Sequence, residues 1–255
     1  MGESRNESGR IDLRSWLMSI LFLVAFVTCS FLYFCSVAKP SISLIFFNML
    51  QAINLVCTRS TDREPALLER WYNDHAQLLM ASPELQSAEL FRFNSTTEGM
   101  DYFCLYHFSA LERFAGFDSG EVMTKVRELS NTAPGRSSIE IVRRTQYERV
   151  LHRQWLAGQG GATQASLFTL ESYSLSQATR WLNDVLYALH LQHPLRSAQV
   201  YATTTNKPEL FVLLQAVGSE AFPVDWHTWE SPYASRPNMR PIWQSKAERI
   251  TQWLR

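Results

Sequence analysis

The chain has 255 residues, 46% of them hydrophobic, and its 24 basic and 24 acidic side chains cancel to a net charge of zero. That length builds one large or two small globular domains with a substantial core. A neutral chain with no Lys/Arg block argues against a nucleic-acid partner, because phosphate binding needs a basic surface. Four cysteines (Cys29, Cys35, Cys57, Cys104) without C-x-x-C spacing suggest neither a disulfide scaffold nor a zinc site.

Residues 1–14 are polar, and residues 16–37 then carry no charge at all. Twenty-two apolar residues suffice to cross a hydrocarbon core of ~30 Å as a helix. Arg5, Arg10 and Arg14 precede the segment and only Lys39 closely follows it, so the positive-inside rule places the N-terminus in the cytoplasm. The direct reading is a single-pass membrane anchor. A cleaved signal peptide ending near Ser36-Val37-Ala38 is a second reading. A start at Met49, giving a cytoplasmic protein, is a third. Asn94-Ser95-Thr96 is a glycosylation acceptor pattern if the domain is lumenal.

Beyond Met49 the elements follow one another as β-α-β-β-α-β. Residues 51–58 are an apolar run of strand length. Asp62 can cap a following helix with Pro65 in its first turn. Leu68, Trp71/Tyr72, His75 and Leu78/Leu79 recur at helical spacing until Pro83 ends it. Strands follow over 85–93 and 102–108, then a helical stretch over 110–129 broken near Gly116 and Gly120, then a strand over 138–147. Gly158-Gln159-Gly160-Gly161 reads as a linker. A second series follows: a strand over 166–172, a helix through Leu175, Ala178, Leu182, Val185 and Leu189, and strands over 196–203 and 210–217. A Pro/Trp-rich stretch over 222–238 stands where a second helix is due.

The two series are copies of each other. Arg70-Trp71-Tyr72-Asn73-Asp74 returns 110 positions later as Arg180-Trp181-Leu182-Asn183-Asp184, and Leu79, Leu85, Ser87 and Ala88 return as Leu189, Leu195, Ser197 and Ala198. Phe103-Cys104-Leu105 pairs with Phe211-Val212-Leu213, and Glu148-Arg149-Val150 with Glu248-Arg249-Ile250. The order is kept throughout, which supports duplication. The expected organisation is a tail and membrane helix over 1–48, a first repeat over 49–155, a linker over 156–165 and a degenerate second repeat over 166–255. A βαββαβ unit folds as a four-stranded antiparallel sheet with both helices on one face. Its strands are apolar on both sides (Phe103 and Leu105 against Tyr102, Cys104 and Tyr106), so the sibling sheet is the economical cover for the bare face. The expected fold class is α+β: two ferredoxin-like repeats in one pseudo-dimeric barrel.

Asn54-Leu55-Val56-Cys57, Arg70 to His75 with Pro83 and Leu85, and Tyr102 to Tyr106 resemble the dimeric α+β barrel superfamily, and within it the EthD-like proteins, whose first helix carries W-Y-x-x-H. The resemblance covers residues 49–155 well and 163–255 as a degenerate copy. It implies a cavity between the two sheets. It also implies relatives that are cofactor-free cyclases, dehydratases, monooxygenases and isomerases, besides haem-binding members and inactive proteins, so the fold alone selects no reaction.

His75 is the first candidate for proton transfer, since a histidine titrates near neutrality. It shares a helix face with Trp71, and its sibling is Val185, so packing alone does not demand a histidine there. A helix histidine satisfied by a backbone group is the competing reading. Tyr72 can donate a hydrogen bond to a substrate oxygen or serve as a core-edge aromatic. Arg70, Asn73 and Asp74 recur in the second copy and read as structural. Either face of the third strand can line the cavity: His107 lies with Phe103 and Leu105, Tyr106 with Cys104, and His107 near the strand end reads most simply as exposed. Trp226 and His227, in the loop that replaces a helix, form a cap or a lid. With Trp71, Tyr106 and His107 they complete the expected substrate-binding set. Cys57 and Cys104 lie on neighbouring strands and read as small buried hydrophobes. His190 and His193 lack further ligands for a metal, and no phosphate loop, G-x-S-x-G or H-E-x-x-H occurs; no cofactor or metal is expected.

These features describe a cofactor-independent dehydratase, cyclase or isomerase acting on a small apolar, aromatic or polyketide-like molecule. His75 is its acid/base and Tyr72 its hydrogen-bonding partner. A non-catalytic ligand- or partner-binding protein and a haem-binding relative are the alternatives. The expected assembly is a monomer or a dimer of pseudo-dimers.

Overall fold

A computed structural model describes residues 51–61, 64–132, 136, 139–158, 161–171, 174–205, 207–218, 224, 226 and 235–255. The hydrophobic segment 16–37, the Asp62 cap and His227 lie outside the described residues. Among the described residues no helix is long and apolar enough to cross a membrane.

The elements run β1 (Ala52–Ser60), α1 (Pro65–Leu79), β2 (Leu85–Thr97), β3 (Met100–Phe108), α2 (Glu112–Ser119), α3 (Glu121–Thr132), β4 (Ile139–Gln154), β5 (Thr163–Leu170), α4 (Leu175–Gln192), β6 (Leu195–Ala202), β7 (Glu209–Ala216) and β8 (Met239–Leu254). The eight strands close into one antiparallel barrel in the order β1-β3-β2-β8-β5-β7-β6-β4. Closure leaves no unpaired edge. It is achieved by two long strands of 16 residues each. The first part of β4 pairs with β1 and its end crosses to β6. The first part of β8 pairs with β5 and its end crosses to β2. Both strands are longer than the apolar pattern indicates, because their outer halves alternate with exposed charge.

Strand alternation sends successive side chains to opposite faces. Ile53, Leu55 and Cys57 of β1 and Phe103 and Leu105 of β3 point into the barrel, where they meet Phe91, Tyr147, Leu167, Tyr201, Phe211 and Trp243. Rings from both ends of the chain touch there: Phe91 stacks on Phe103 at 4.6 Å, and Phe103 meets Phe211 edge-on at 6.1 Å. The space between the sheets, expected to be a cavity, is thus filled by aromatic side chains. The opposite face of β1–β3 packs under α1, α2 and α3 through Val56, Tyr102, Cys104, Tyr106 and Phe108. The same face of β5–β7 packs under α4 through Trp181, Leu182, Val185 and Leu189.

Local details follow from residue type. β2 and β3 are joined by Glu98 and Gly99, both at positive φ, the two-residue hairpin geometry that matches strand twist. The α2–α3 break falls at Gly120 only; Gly116 lies inside α2. α1 starts on Pro65 without a side-chain cap, whereas Ser174 and Gln177 form a full capping box on α4. Gly161 sits at φ +97°, and a Cβ there would fall 2.0 Å from the Ala216 carbonyl oxygen, so the link into β5 requires glycine.

Candidate functional site

α1 lies over the helix-facing side of β1, and α3 runs beside it. Between them is a cavity of about 230 Å³. β1 supplies Asn54, Val56 and Thr58, α1 supplies Trp71, Tyr72, His75 and Leu79, and β3 supplies Tyr106. Phe117, Met123 and Ile141 complete the apolar wall, and Arg127, Arg136 and Arg144 stand around it. Of the residues singled out from the sequence, Trp71, Tyr72, His75 and Tyr106 are brought together here.

The one-turn spacing of Trp71 and His75 stacks their rings at 4.4 Å and 17°, which fixes the plane of the imidazole. Burial, with Arg136 and Arg144 adding to it, pushes the His75 pKa down to about 4. The ring is therefore neutral at pH 7. The Tyr72 hydroxyl lies 3.0 Å from Thr58 Oγ1. Burial raises the pKa of Tyr72 and of Tyr106, so both keep their protons. Asn54 is only 2% exposed. Its Oδ1 and the Trp71 Nε1 are buried without a hydrogen-bond partner among the described residues. Such orphans cost free energy.

The remaining candidates lie elsewhere. His107 is not exposed but 1% accessible, and it faces the barrel interior, away from His75. Its Nε2 lies 3.0 Å from Glu89 Oε2, and Arg249 donates to Glu89 Oε1 at 3.0 Å. Burial pushes the Glu89 pKa up, but the bonds and charges of His107 and Arg249 outweigh it and hold the carboxyl below its ordinary value. His107 thus belongs to a buried polar cluster, because Arg249 of β8 and Glu89 of β2 reach the same part of the barrel interior. Trp226 caps the core beneath α4, meeting Phe168 edge-on at 5.7 Å and donating to Ser166 Oγ at 3.2 Å.

Asn73 and its sibling Asn183 do structural work. Asn73 Oδ1 accepts from Trp253 Nε1 at 3.2 Å, and Asn183 Oδ1 accepts from Arg153 Nε at 3.0 Å. Each asparagine ties a helix to a crossing strand. Cys57 and Cys104 are free and buried. They point to opposite faces, Cys57 pairing with Phe103 while Cys104 pairs with Val56, so no disulfide joins them. His190 accepts from the Leu195 N–H at 3.3 Å and stacks on Trp155 at 4.5 Å. A haem does not fit this cavity: the His75 ring lies flat on Trp71, and the space is smaller than a porphyrin.

Asn54, Thr58, Asn131 and the three arginines are the polar lining residues that sequence reading missed. Asn54 left a trace, a polar side chain in the middle of an apolar strand. The arginines left none, since only the path from α3 into β4 brings them to α1.

No protein-family model and no curated protein matches the chain. Solved structures do. A candidate monooxygenase from Fusobacterium nucleatum subsp. nucleatum superposes with a TM-score of 0.51 at 7% identity, over 81% of this chain and 95% of that one. An anthrone oxidase-like protein gives 0.51 at 11% identity, over 81% and 93%. A chlorite dismutase variant from Candidatus Nitrospira defluvii gives 0.50 at 8% identity, over 82% and 95%. Identities this low speak for the fold alone, and that fold is the dimeric α+β barrel, closed here within a single chain.

Proposed function

We propose that the protein is a small-molecule enzyme that moves a proton on an apolar, aromatic substrate held between α1, α3 and the outer face of the barrel. The observation that carries this reading is one cavity in which the neutral His75 imidazole, stacked on Trp71, meets the side chains of Tyr72, Tyr106 and Asn54. His75, held flat by Trp71, accepts a proton from an acidic C–H of the substrate, and the electron pair left behind moves onto the adjacent carbonyl oxygen as an enolate. The same ring returns the proton: to another carbon in an isomerisation, to the departing hydroxyl, which leaves as water, in a dehydration, or to the alkoxide formed when the enolate carbon attacks a second carbonyl in a cyclisation. Tyr72, whose hydroxyl can accept from Thr58, donates to a substrate oxygen. A cofactor-free reaction of this kind is what an EthD-like resemblance implies.

The structural neighbours carry names from oxidative chemistry, an anthrone oxidase-like protein among them. An anthrone is a fused-ring aromatic ketone with an acidic methylene, which makes it a suitable probe. Incubated with anthrone in deuterated buffer, the protein should accelerate exchange at the methylene on the order of 10²–10⁴-fold, the range for a placed acid/base. His75→Gln should abolish the acceleration. Equal exchange with the variant would remove His75 from the reaction and favour a binding protein.

We also read Met49–Arg255 as a fused duplication. Strand registers support it: Ile53 pairs with His107 and Tyr147, and 110 positions on Thr163 pairs with Gln215 and Ala247. Ser87 opposite His107 is matched by Ser197 opposite Gln215, with the same irregularity just before each. Residues 16–37 are proposed as the membrane anchor, with the N-terminus cytoplasmic. Extraction of the protein from membranes by alkaline carbonate would sink that assignment.

A further inference from the structure

Three guanidinium groups from different elements converge on the His75 cavity: Arg127 from α3, Arg136 from the connection after it, and Arg144 from β4. Asp118 answers two of them, accepting from Arg127 at 2.9 Å and from Arg144 at 3.0 Å. Arg136 donates to the Ile139 carbonyl. No carboxylate lines the cavity among the described residues, so three positive charges face one negative one and the wall is net positive. The floor is apolar, which strengthens any charge interaction made there. Arg144 and Asn54 also line a wider, solvent-open cavity of about 530 Å³, where Thr203, Thr204 and Thr205 arrive from the β6–β7 connection. The pocket therefore has a polar approach, which Asp118 also lines, and Arg144 stands where the two spaces meet.

We infer that the site takes an anion: an aromatic or otherwise apolar ring system carrying a carboxylate or a comparably compact anionic oxygen group, the rings against Trp71 and Tyr106 and the anion on Arg144 and Arg136. This rests on the reading that the pocket is the substrate site, and it names the substrate class. A planar guanidinium matches a carboxylate with two parallel bonds, whereas a neutral ligand of the same shape covers the arginines without replacing their water. The low basicity of His75 fits the same arrangement, since an anion bound on Arg136 and Arg144 offsets two of its causes. The second half of the chain takes part through its threonines, although it lacks a His75 counterpart.

The test is isothermal titration of the full-length chain with 2-naphthoate and with 2-naphthamide, a neutral molecule of the same shape. The acid should bind roughly tenfold or more tightly than the amide. Arg144→Gln and, separately, Arg136→Gln should bring the acid down to the amide's affinity and leave the amide's unchanged. Ile141→Trp, at a half-exposed position on the rim, should block both ligands. Equal affinities for acid and amide, both lost in Ile141→Trp, would overturn the anion assignment and leave the pocket as the site. A preference for the acid that survives both arginine variants would overturn it as well. Binding that is absent, or indifferent to Ile141→Trp, would overturn the site reading itself. His75 gives an independent readout: its NMR-titrated pKa should rise when 2-naphthoate binds and stay put with the amide.

Discussion

At the scale of single residues, two histidines have opposite fates. His75 shares a helix face with Trp71 and His107 ends an apolar strand, and periodicity assigns each to a face of its element. What periodicity does not reveal is which face another element covers. The crossing end of β8 buries His107 against Glu89 and Arg249, while the arginines from α3 and β4 surround His75. The charged and titratable groups around His75 are Tyr72 on its own helix, Tyr106 of β3, Arg127 of α3, Arg136, and Arg144 of β4. Its pKa falls from 6.5 unfolded to about 4 folded, so between those values the unfolded chain binds the extra proton. Stability is then full above pH 6.5 and declines as the pH drops toward 4. His152, also pushed down to about 4 by burial and then by Arg149, adds to the same decline. Urea melts from pH 7 to 4.5 should show it, with a shallower slope for His75→Leu. That variant should fold, because Val185 holds the matching place in α4 fully buried. Burial also pushes the Cys57 thiol up to about 12 and the Cys104 thiol higher still. Neither should react with iodoacetamide at pH 8 in the native protein, whereas both should in urea.

At the scale of elements, the strands were legible because their apolar runs are continuous, and the hairpins because glycine and proline punctuate them. The long tails of β4 and β8 were not. Arg143, Arg149, Glu248 and Arg249 look like surface charge in sequence, yet a strand that crosses to the other half must carry polar side chains past the barrel rim. α1 and α4 show the converse: similar patterns of Trp, Asn and Asp, one beside an open cavity and the other over a filled core, because Trp226 occupies the space beneath α4. The Glu89 cluster belongs to this scale, since it fastens β2 to β3 and β8. Glu89→Ala leaves Arg249 without its counter-charge and His107 without its hydrogen-bond partner, and should cost about 3–5 kcal/mol. Replacing all three by apolar residues of similar volume should recover most of that loss. Chemical denaturation of the two proteins measures the difference.

At the scale of the whole molecule, the two series of elements depend on each other. β4 ends on β6 and β8 ends on β2, so neither half closes a barrel alone. Residues 49–155 expressed alone should remain unfolded or associate with a second copy, and adding 163–255 should restore a one-to-one complex; sedimentation velocity distinguishes these states. The spacing of matched residues suggests the proposed repeat but leaves open the direction in which its sheets face. The site's location could not, because it depends on which of two apolar faces is filled by rings, and that is decided by side chains 100 or more positions apart, such as Phe103 and Phe211.

The short link from the end of β4 into β5, tight enough at Gly161 to exclude a Cβ, has a consequence for dilution. A barrel assembled from two separate chains obeys mass action and comes apart as its concentration falls. Here the partner sheet is always present at the effective concentration set by a short tether. The barrel should melt at the same temperature across a wide range of protein concentration, and it can persist at a few copies per cell.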